Sequence, residues 1–150
     1  MHRSKICLPD INVWVALWWD GHTHHRPAKE WFASLDRCQA AFCRVTQMGF
    51  LRLITNPRLM REDVRSAGQA WDLCEKVMAD PRVFFLPEAE AVETAWKRFT
   101  RLLPVGTGLW TDAYLAAFAS IHGLTLVSFD RGFRGLDGVG FVLLAPPSRA

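Results

Sequence analysis

Short apolar runs alternate along this chain with longer segments in which apolar residues recur every three or four positions. The runs "KICLP", "QAAFC", "RVFFL", "LTLVSF" and "VGFVLL" are five or six residues long and rich in β-branched, aromatic or leucine side chains, the pattern of strands buried on both faces. Between them, residues 13–19, 28–35, 46–55, 63–78, 90–102 and 112–122 carry helical periodicity. Strands alternating with helices predict a parallel sheet of four to five strands with helices on both sides, a three-layer α/β/α arrangement. In 46–55 the expected buried stripe is Met48, Phe50, Leu51 and Ile54, with Arg52 and Asn56 off it and Pro57 as the stop. Gly123 follows "DAYLAAFASIH" as a helix-ending glycine, and "LTLVSF" resumes at once as strand.

The pattern is continuous, without repeat or linker, until "APPSRA". One domain over 1–145 with a proline-broken tail at 146–150 is therefore expected. The 150 residues are 50% hydrophobic and 22% charged, far from the disordered class. No apolar run approaches the roughly 20 residues of a spanning helix, so no membrane association is expected. Cys7, Cys38, Cys43 and Cys74 show no CxxC pair and no zinc-type spacing; with no secretory leader read at the N-terminus, they are expected to be buried thiols in a reducing cytoplasm. A net charge of +3 suits a polyanion partner without establishing one.

Three aspartates change the picture. In a right-handed strand-helix-strand unit the C-terminal ends of strands and the N-terminal ends of helices share one edge of the sheet. Asp10 closes the first strand, Asp112 opens the last helix and Asp130 closes the strand "LVSFD", so all three are expected on that rim. Each also suits a plain structural use: Asp10 as a helix cap, Asp112 in a first turn, Asp130 at the start of a turn. Together they would repel unless one is protonated or a cation neutralises them, and a hard divalent ion such as Mg²⁺ or Mn²⁺ suits such oxygen donors. Asn12 either hydrogen-bonds the Asp10 carboxylate or caps the following helix. "HTHHRP", with His22, His24 and His25, is expected to start the second helix, with Pro27 in its first turn, rather than to bind metal. Trp18 and Trp19 are adjacent and cannot both face one core; with Trp14 they form an aromatic surface for a partner, or else their rings fold back on their own domain.

The stretches "LPDINVWVAL", "CRVTQMGFLRLITNP" and "WTDAYLAAFASIHGLTLVSFDRGF" resemble the PIN-domain ribonucleases, and among them the VapC-type toxins of toxin-antitoxin pairs. The resemblance spans essentially the whole chain. It implies a three-layer PIN-like domain, an Mg²⁺-dependent (or Mn²⁺-dependent) endoribonuclease acting through metal-activated water, a cognate VapB-type antitoxin, a homodimer and a cytoplasmic location. By position, Asp10, Asp112 and Asp130 match the metal-site and catalytic aspartates, Ser128 a small hydroxyl residue before the last acid, and Asn12 a polar residue beside the first. Gln47 stands where many PIN domains have glutamate; it keeps an oxygen acceptor but brings no charge to a cation. Arg44, Arg52, Arg131 and Arg134 flank the rim as candidates for holding RNA phosphates. Two other classes compete: a non-catalytic RNA-binding or regulatory PIN-like module, and a phosphatase with Asp10 as nucleophile. "DIN" lacks the second acid that the phosphatase arrangement calls for.

Overall fold

The first strand, β1 (Cys7–Pro9), lies at the centre of the sheet, and its proline explains how the sheet is used. The structure is a computed structural model and describes residues 5–133 and 138–144. Its five strands are β1, β2 (Ala40–Phe42), β3 (Val83–Phe85), β4 (Thr125–Ser128) and β5 (Gly140–Leu143), all parallel, in the order β3-β2-β1-β4-β5. Connections run outward from β1 in both directions, so the strand order reverses between β1 and β4, the place where open α/β sheets collect function. A proline in a central strand interrupts a ladder. Cys7 donates its N–H to Gln39 beside β2 at 2.8 Å, and Pro9, two residues on, has none to give, so β1 and β2 stay in register only at Cys7 and Ala40. On its other edge β1 continues: Cys7, Leu8 and Pro9 register with Thr125, Leu126 and Val127, and the Asp10 N–H reaches the Val127 carbonyl at 2.8 Å.

Alternation along the strands divides the core. Ala40 and Phe42 face one layer, made by α1 (Ile11–Trp18), α2 (His25–Ala33), α3 (Arg44–Ile54), α4 (Pro57–Met60) and α5 (Ala67–Ala79). Leu8 and Ala41 face the other, made by α6 (Val92–Thr100) and α7 (Trp110–His122). The expected three-layer α/β/α class and parallel sheet are what the structure has. Trp14 lies flat on Phe42, with ring centroids 3.8 Å apart, and Phe42 meets Phe50 edge-on. All three rings are fully buried, and burying a side chain of this size is worth roughly 1.5–3 kcal/mol.

Several boundaries shift for identifiable reasons. The fifth helix begins at Ala67 rather than at residue 63, because Ser66 and Gln69 form a reciprocal capping box. Asp63 falls in a single 3₁₀ turn, Arg61–Asp63. Pro57 does follow the end of α3, but it also starts α4, which Asn56 caps through the Arg58 N–H. Met48, expected in the buried stripe of α3, is exposed; the buried face is centred on Thr46, Phe50 and Ile54. Trp14 is interior rather than part of an aromatic surface, and Cys38 is exposed while the other three thiols are buried. Gly123 adopts the left-handed conformation, φ 67°, that ends α7 and admits β4. Arg134 and the tail 146–150 lie outside the described residues. Among the described residues no helix is long and apolar enough to cross a membrane.

α1 and α3 approach so closely that Gly49 has no room for a side chain: a Cβ there would overlap Ile11 Cδ1 and sit 2.7 Å from its Cγ1. Glycine inside a helix ordinarily costs about 1 kcal/mol relative to alanine. Here the sign should reverse. Gly49→Ala is expected to lower the urea unfolding midpoint, by about 1–3 kcal/mol as for other overpacked cores, and combining it with Ile11→Ala should recover part of the loss. A midpoint equal to or above the parent's would show that the contact is not limiting.

Candidate active site

The acid rim is assembled around one hydroxyl. The backbone turns from β1 into α1 at Asp10, the N-cap of α1, whose Oδ1 accepts the Ile11 N–H at 2.7 Å. Its Oδ2 accepts the hydroxyl proton of Ser128 at 2.9 Å, from the tip of the neighbouring β4. Ser128 Oγ in turn accepts the Asp130 N–H at 2.9 Å and the Asn12 Nδ2–H at 3.4 Å. A hydroxyl offers one donor and two acceptor sites, and all three are used. An ionised carboxylate only accepts, so the Ser128 proton belongs to Asp10 and Asn12 must present its NH₂. That leaves Asn12 Oδ1 buried without a protein partner. Asn12 therefore neither bonds the Asp10 carboxylate nor caps α1; it supports the group that does hold Asp10. Asp130 is exposed and closes its own turn by accepting the Gly132 N–H at 2.8 Å.

Asp112 arrives from the other layer, in the first turn of α7, where the helix dipole favours an acid. Two bonds fix that turn: Trp96 Nε1 donates to the Trp110 carbonyl at 3.0 Å, and the Tyr114 hydroxyl donates to Glu88 Oε1 at 2.5 Å. Burial, then the charges of Asp10 and Asp130, push the Asp112 carboxyl up to about 6. Burial likewise raises Asp10, against the pull of Ser128 and the Ile11 N–H, and Asp130 adds to the rise. So the three acids share one field, and each also has its plain structural use: cap, first turn, turn start. Those structural uses leave the carboxylates in one another's field.

No three His, Cys, Asp or Glu side chains among the described residues are drawn together tightly enough to form a ready ligand set for one ion. Uncompensated carboxylates repel, and here they stand apart. The donor chemistry nevertheless fits a hard divalent cation: three carboxylates on one rim, two of them held above their usual range, and a carbonyl oxygen of Asn12 with no protein donor.

The supporting residues divide. Gln47 is engaged away from the acids: its Oε1 accepts from the Arg44 guanidinium and its Nε2 lies 3.8 Å from Cys74 Sγ. Arg44 also lies over the Phe85 ring, 4.7 Å from its centroid. Arg52 and Arg131 are exposed, the latter directly after Asp130. The histidines of "HTHHRP" are structural: His24 donates its N–H to His22 Nδ1, the His25 ring bonds the Ala16 carbonyl, and His24 stacks on Phe129. Trp18 and Trp19 line a cavity of about 410 Å³ at the opposite end of α1, where Trp19 Nε1 donates to Asp63. Tyr114, Glu88 and Trp96, which fix the Asp112 turn, carried no spacing signal. Only the family resemblance, which matched Ser128 and Asn12 by position, hinted at the hub.

A family model described as "PIN domain" matches residues 7–139. The chain belongs to the PIN-domain family. It is 34% identical over 143 residues to "Ribonuclease VapC41" of Mycobacterium tuberculosis, covering 92% of this chain and 98% of that protein. Among solved structures, this PIN domain resembles M. tuberculosis VapC20, a "Sarcin-Ricin loop cleaving toxin", with a TM-score of 0.63 at 20% identity, covering 89% of this chain and 98% of that one. It also resembles a chain of VapBC2 from Rickettsia felis, solved bound to a promoter DNA fragment, with a TM-score of 0.65 at 12% identity over 93% and 99% of the two chains.

The raised Asp112 carboxyl has a signed consequence. Its folded state holds a proton that the unfolded chain releases, so it lowers stability as pH rises from about 4 through about 6 and leaves the full penalty above. In EDTA, Asp112→Asn is expected to stabilise this PIN domain at pH 7 by about 1 kcal/mol, screening by solvent having trimmed the repulsion, and to give no gain below about pH 4. Urea unfolding across that range would measure it; an equal gain at both ends would contradict the shared field.

Proposed function

We propose that this PIN-domain protein is a divalent-metal-dependent endoribonuclease, the toxin of a toxin-antitoxin pair, and that Asp10, Asp112 and Asp130 form its catalytic metal site. The observation that carries the proposal is that Asp10, Asp112 and Asp130 lie along one edge of the sheet, where the strand order reverses, near enough for Asp10 and Asp130 to raise the Asp112 carboxyl, on a chain 34% identical to a protein named as a ribonuclease. When bound, Mg²⁺ or Mn²⁺ supplies an activated water at neutral pH and offsets charge building on the scissile phosphate. Asp10 presents a carboxylate already oriented by Ser128 and the Ile11 N–H; Asp112 and Asp130 would supply the remaining carboxylate donors to such an ion. Ser128 and Asn12 are positioning residues that keep the tips of β1 and β4 in register. Arg131, next to Asp130, with Arg44 and Arg52 on α3, supplies positive charge for RNA phosphates; Arg134 is carried as a further candidate from the sequence alone.

The partners follow from the same resemblance. A VapB-type antitoxin is expected to neutralise the protein, and the aromatic cavity at Trp18 and Trp19 is its proposed contact; a homodimer and a cytoplasmic location go with that role. The competing reading is a non-catalytic RNA-binding module, in which the amide of Gln47, here bonded to Arg44 and beside Cys74, marks lost activity.

Incubating the purified protein with RNA and Mg²⁺ tests both readings. Cleavage is expected, stopped by EDTA and reduced about 100-fold or more by Asp10→Asn, Asp112→Asn or Asp130→Asn. Mg²⁺ should also raise the melting temperature of the parent and not of Asp10→Asn. RNA binding without cleavage would favour the module; cleavage that survives all three substitutions would remove the acids from the chemistry.

A further inference from the structure

The segment joining α6 to α7 is unlike the rest of the surface. From Trp96 to Thr111 the chain carries Lys97, Arg98 and Arg101 and no acid. Leu102 and Val105 are almost wholly exposed, and Trp110, at the first position of α7, is half-exposed, its ring 6.0 Å from Trp96 and edge-on to it. Lys97 pairs only with Glu93, at 3.7 Å and in solvent, a contact of little strength. The Arg98 guanidinium lies over Phe99, 5.5 Å from its centroid. Trp110, Arg101, Lys97, Pro104, Val105 and Thr107 border an open hollow of about 540 Å³.

The hollow lies at the start of α7, the helix that also carries Asp112. Trp110 and Asp112 are two residues apart on one helix, so their side chains diverge by roughly 200°. Asp112 is turned toward the field of Asp10 and Asp130, whereas Trp110 packs toward α6. A half-exposed aromatic ring beside weakly paired cations is what single-stranded nucleic acid binds: a base stacks on the ring and its phosphates meet the cations. A protein partner would meet the same apolar residues, but nothing about it would call for Lys97 and Arg101 beside an exposed ring.

We propose that this face holds the RNA strand beside the scissile phosphate, Trp110 stacking on a flanking base and Arg101, with Lys97, holding a phosphate beyond it. The proposal rests on the ribonuclease reading above and deepens it. Because the contact is to a flanking nucleotide, it governs RNA affinity and the sequence preferred next to the cut, and leaves the chemical step alone.

Fluorescence anisotropy of a labelled oligouridylate of about 12 nucleotides, titrated in EDTA over a range of salt concentrations, tests it. Trp110→Ala is expected to weaken binding about tenfold or more with the salt dependence unchanged, and Trp110→Phe to retain most of the affinity. Arg101→Ala should lower the slope of log affinity against log salt by about 0.7, one phosphate contact on a single strand. With Mg²⁺, Trp110→Ala should raise KM and spare kcat. The Trp96 bond goes to the Trp110 backbone carbonyl, so truncation preserves it, and an unchanged melting temperature identifies a folded variant. If the parent binds and cuts RNA while folded Trp110→Ala and Arg101→Ala bind as the parent does, this inference falls and the ribonuclease reading stands. Unchanged RNA affinity with lost inhibition by an antitoxin would give the face to a protein and likewise overturn the inference. A parent that neither binds nor cuts RNA would overturn both.

Discussion

The Ser128 hydroxyl has room for three hydrogen bonds and spends them on Asp10, Asn12 and the Asp130 backbone, so one oxygen sets the geometry of a rim built from two strands and a helix. Because its capacity is full, each bond constrains the others: the proton is committed to Asp10, Asn12 must donate, and the chain after β4 turns with Asp130 pinned. A buried polar group with every bond made adds rigidity, and one left half-satisfied would cost as much as it gave. The carboxylates around it repel, and the hub keeps two of the three from separating further. That opposition, a hydrogen-bonded anchor against like charge, is what the proposed cation would relieve.

The sheet makes the arrangement possible. Pro9 withholds an N–H on the β2 side while Asp10 continues the ladder to β4. The reversal of strand order then falls between the two strands whose tips carry Asp10 and Ser128. The close approach of α3 at Gly49 seats Ile11, the residue after Asp10, so packing in one layer reaches the acid at the end of the strand. On the other side, the Tyr114–Glu88 and Trp96–Trp110 bonds deliver Asp112. Asp10 and Asp130 thus arrive on a frame tied together at Ser128, and Asp112 on a separate one.

Much of this was legible in the sequence, for reasons that differ by residue. The strands stood out because they read as short apolar runs, those of β1, β2 and β4 buried on both faces, and the rim position of Asp10, Asp112 and Asp130 followed from strand-helix alternation alone. What periodicity misses is reciprocal chemistry. The capping box at Ser66 and Gln69 moved a helix start by four residues from 63 to 67, and Met48 fell outside a face centred on its neighbours. Grouping Trp14 with the neighbouring pair Trp18 and Trp19 places it on the surface, whereas the core selects by helical angle and takes Trp14 onto Phe42. Gln47, which position alone placed among the acids, is turned by Arg44 and Cys74, partners that no spacing rule connects to it.

The central claim is that the field of Asp10, Asp112 and Asp130 is a site for one divalent ion. Crystals grown or soaked with Mn²⁺ test it most directly through the anomalous signal of the metal. The account predicts a peak between these three side chains, with Asp112 and Asp130 drawn in toward Asp10. A peak bound elsewhere, or a Mn²⁺-replete crystal with none at the tips of β1 and β4, would contradict it.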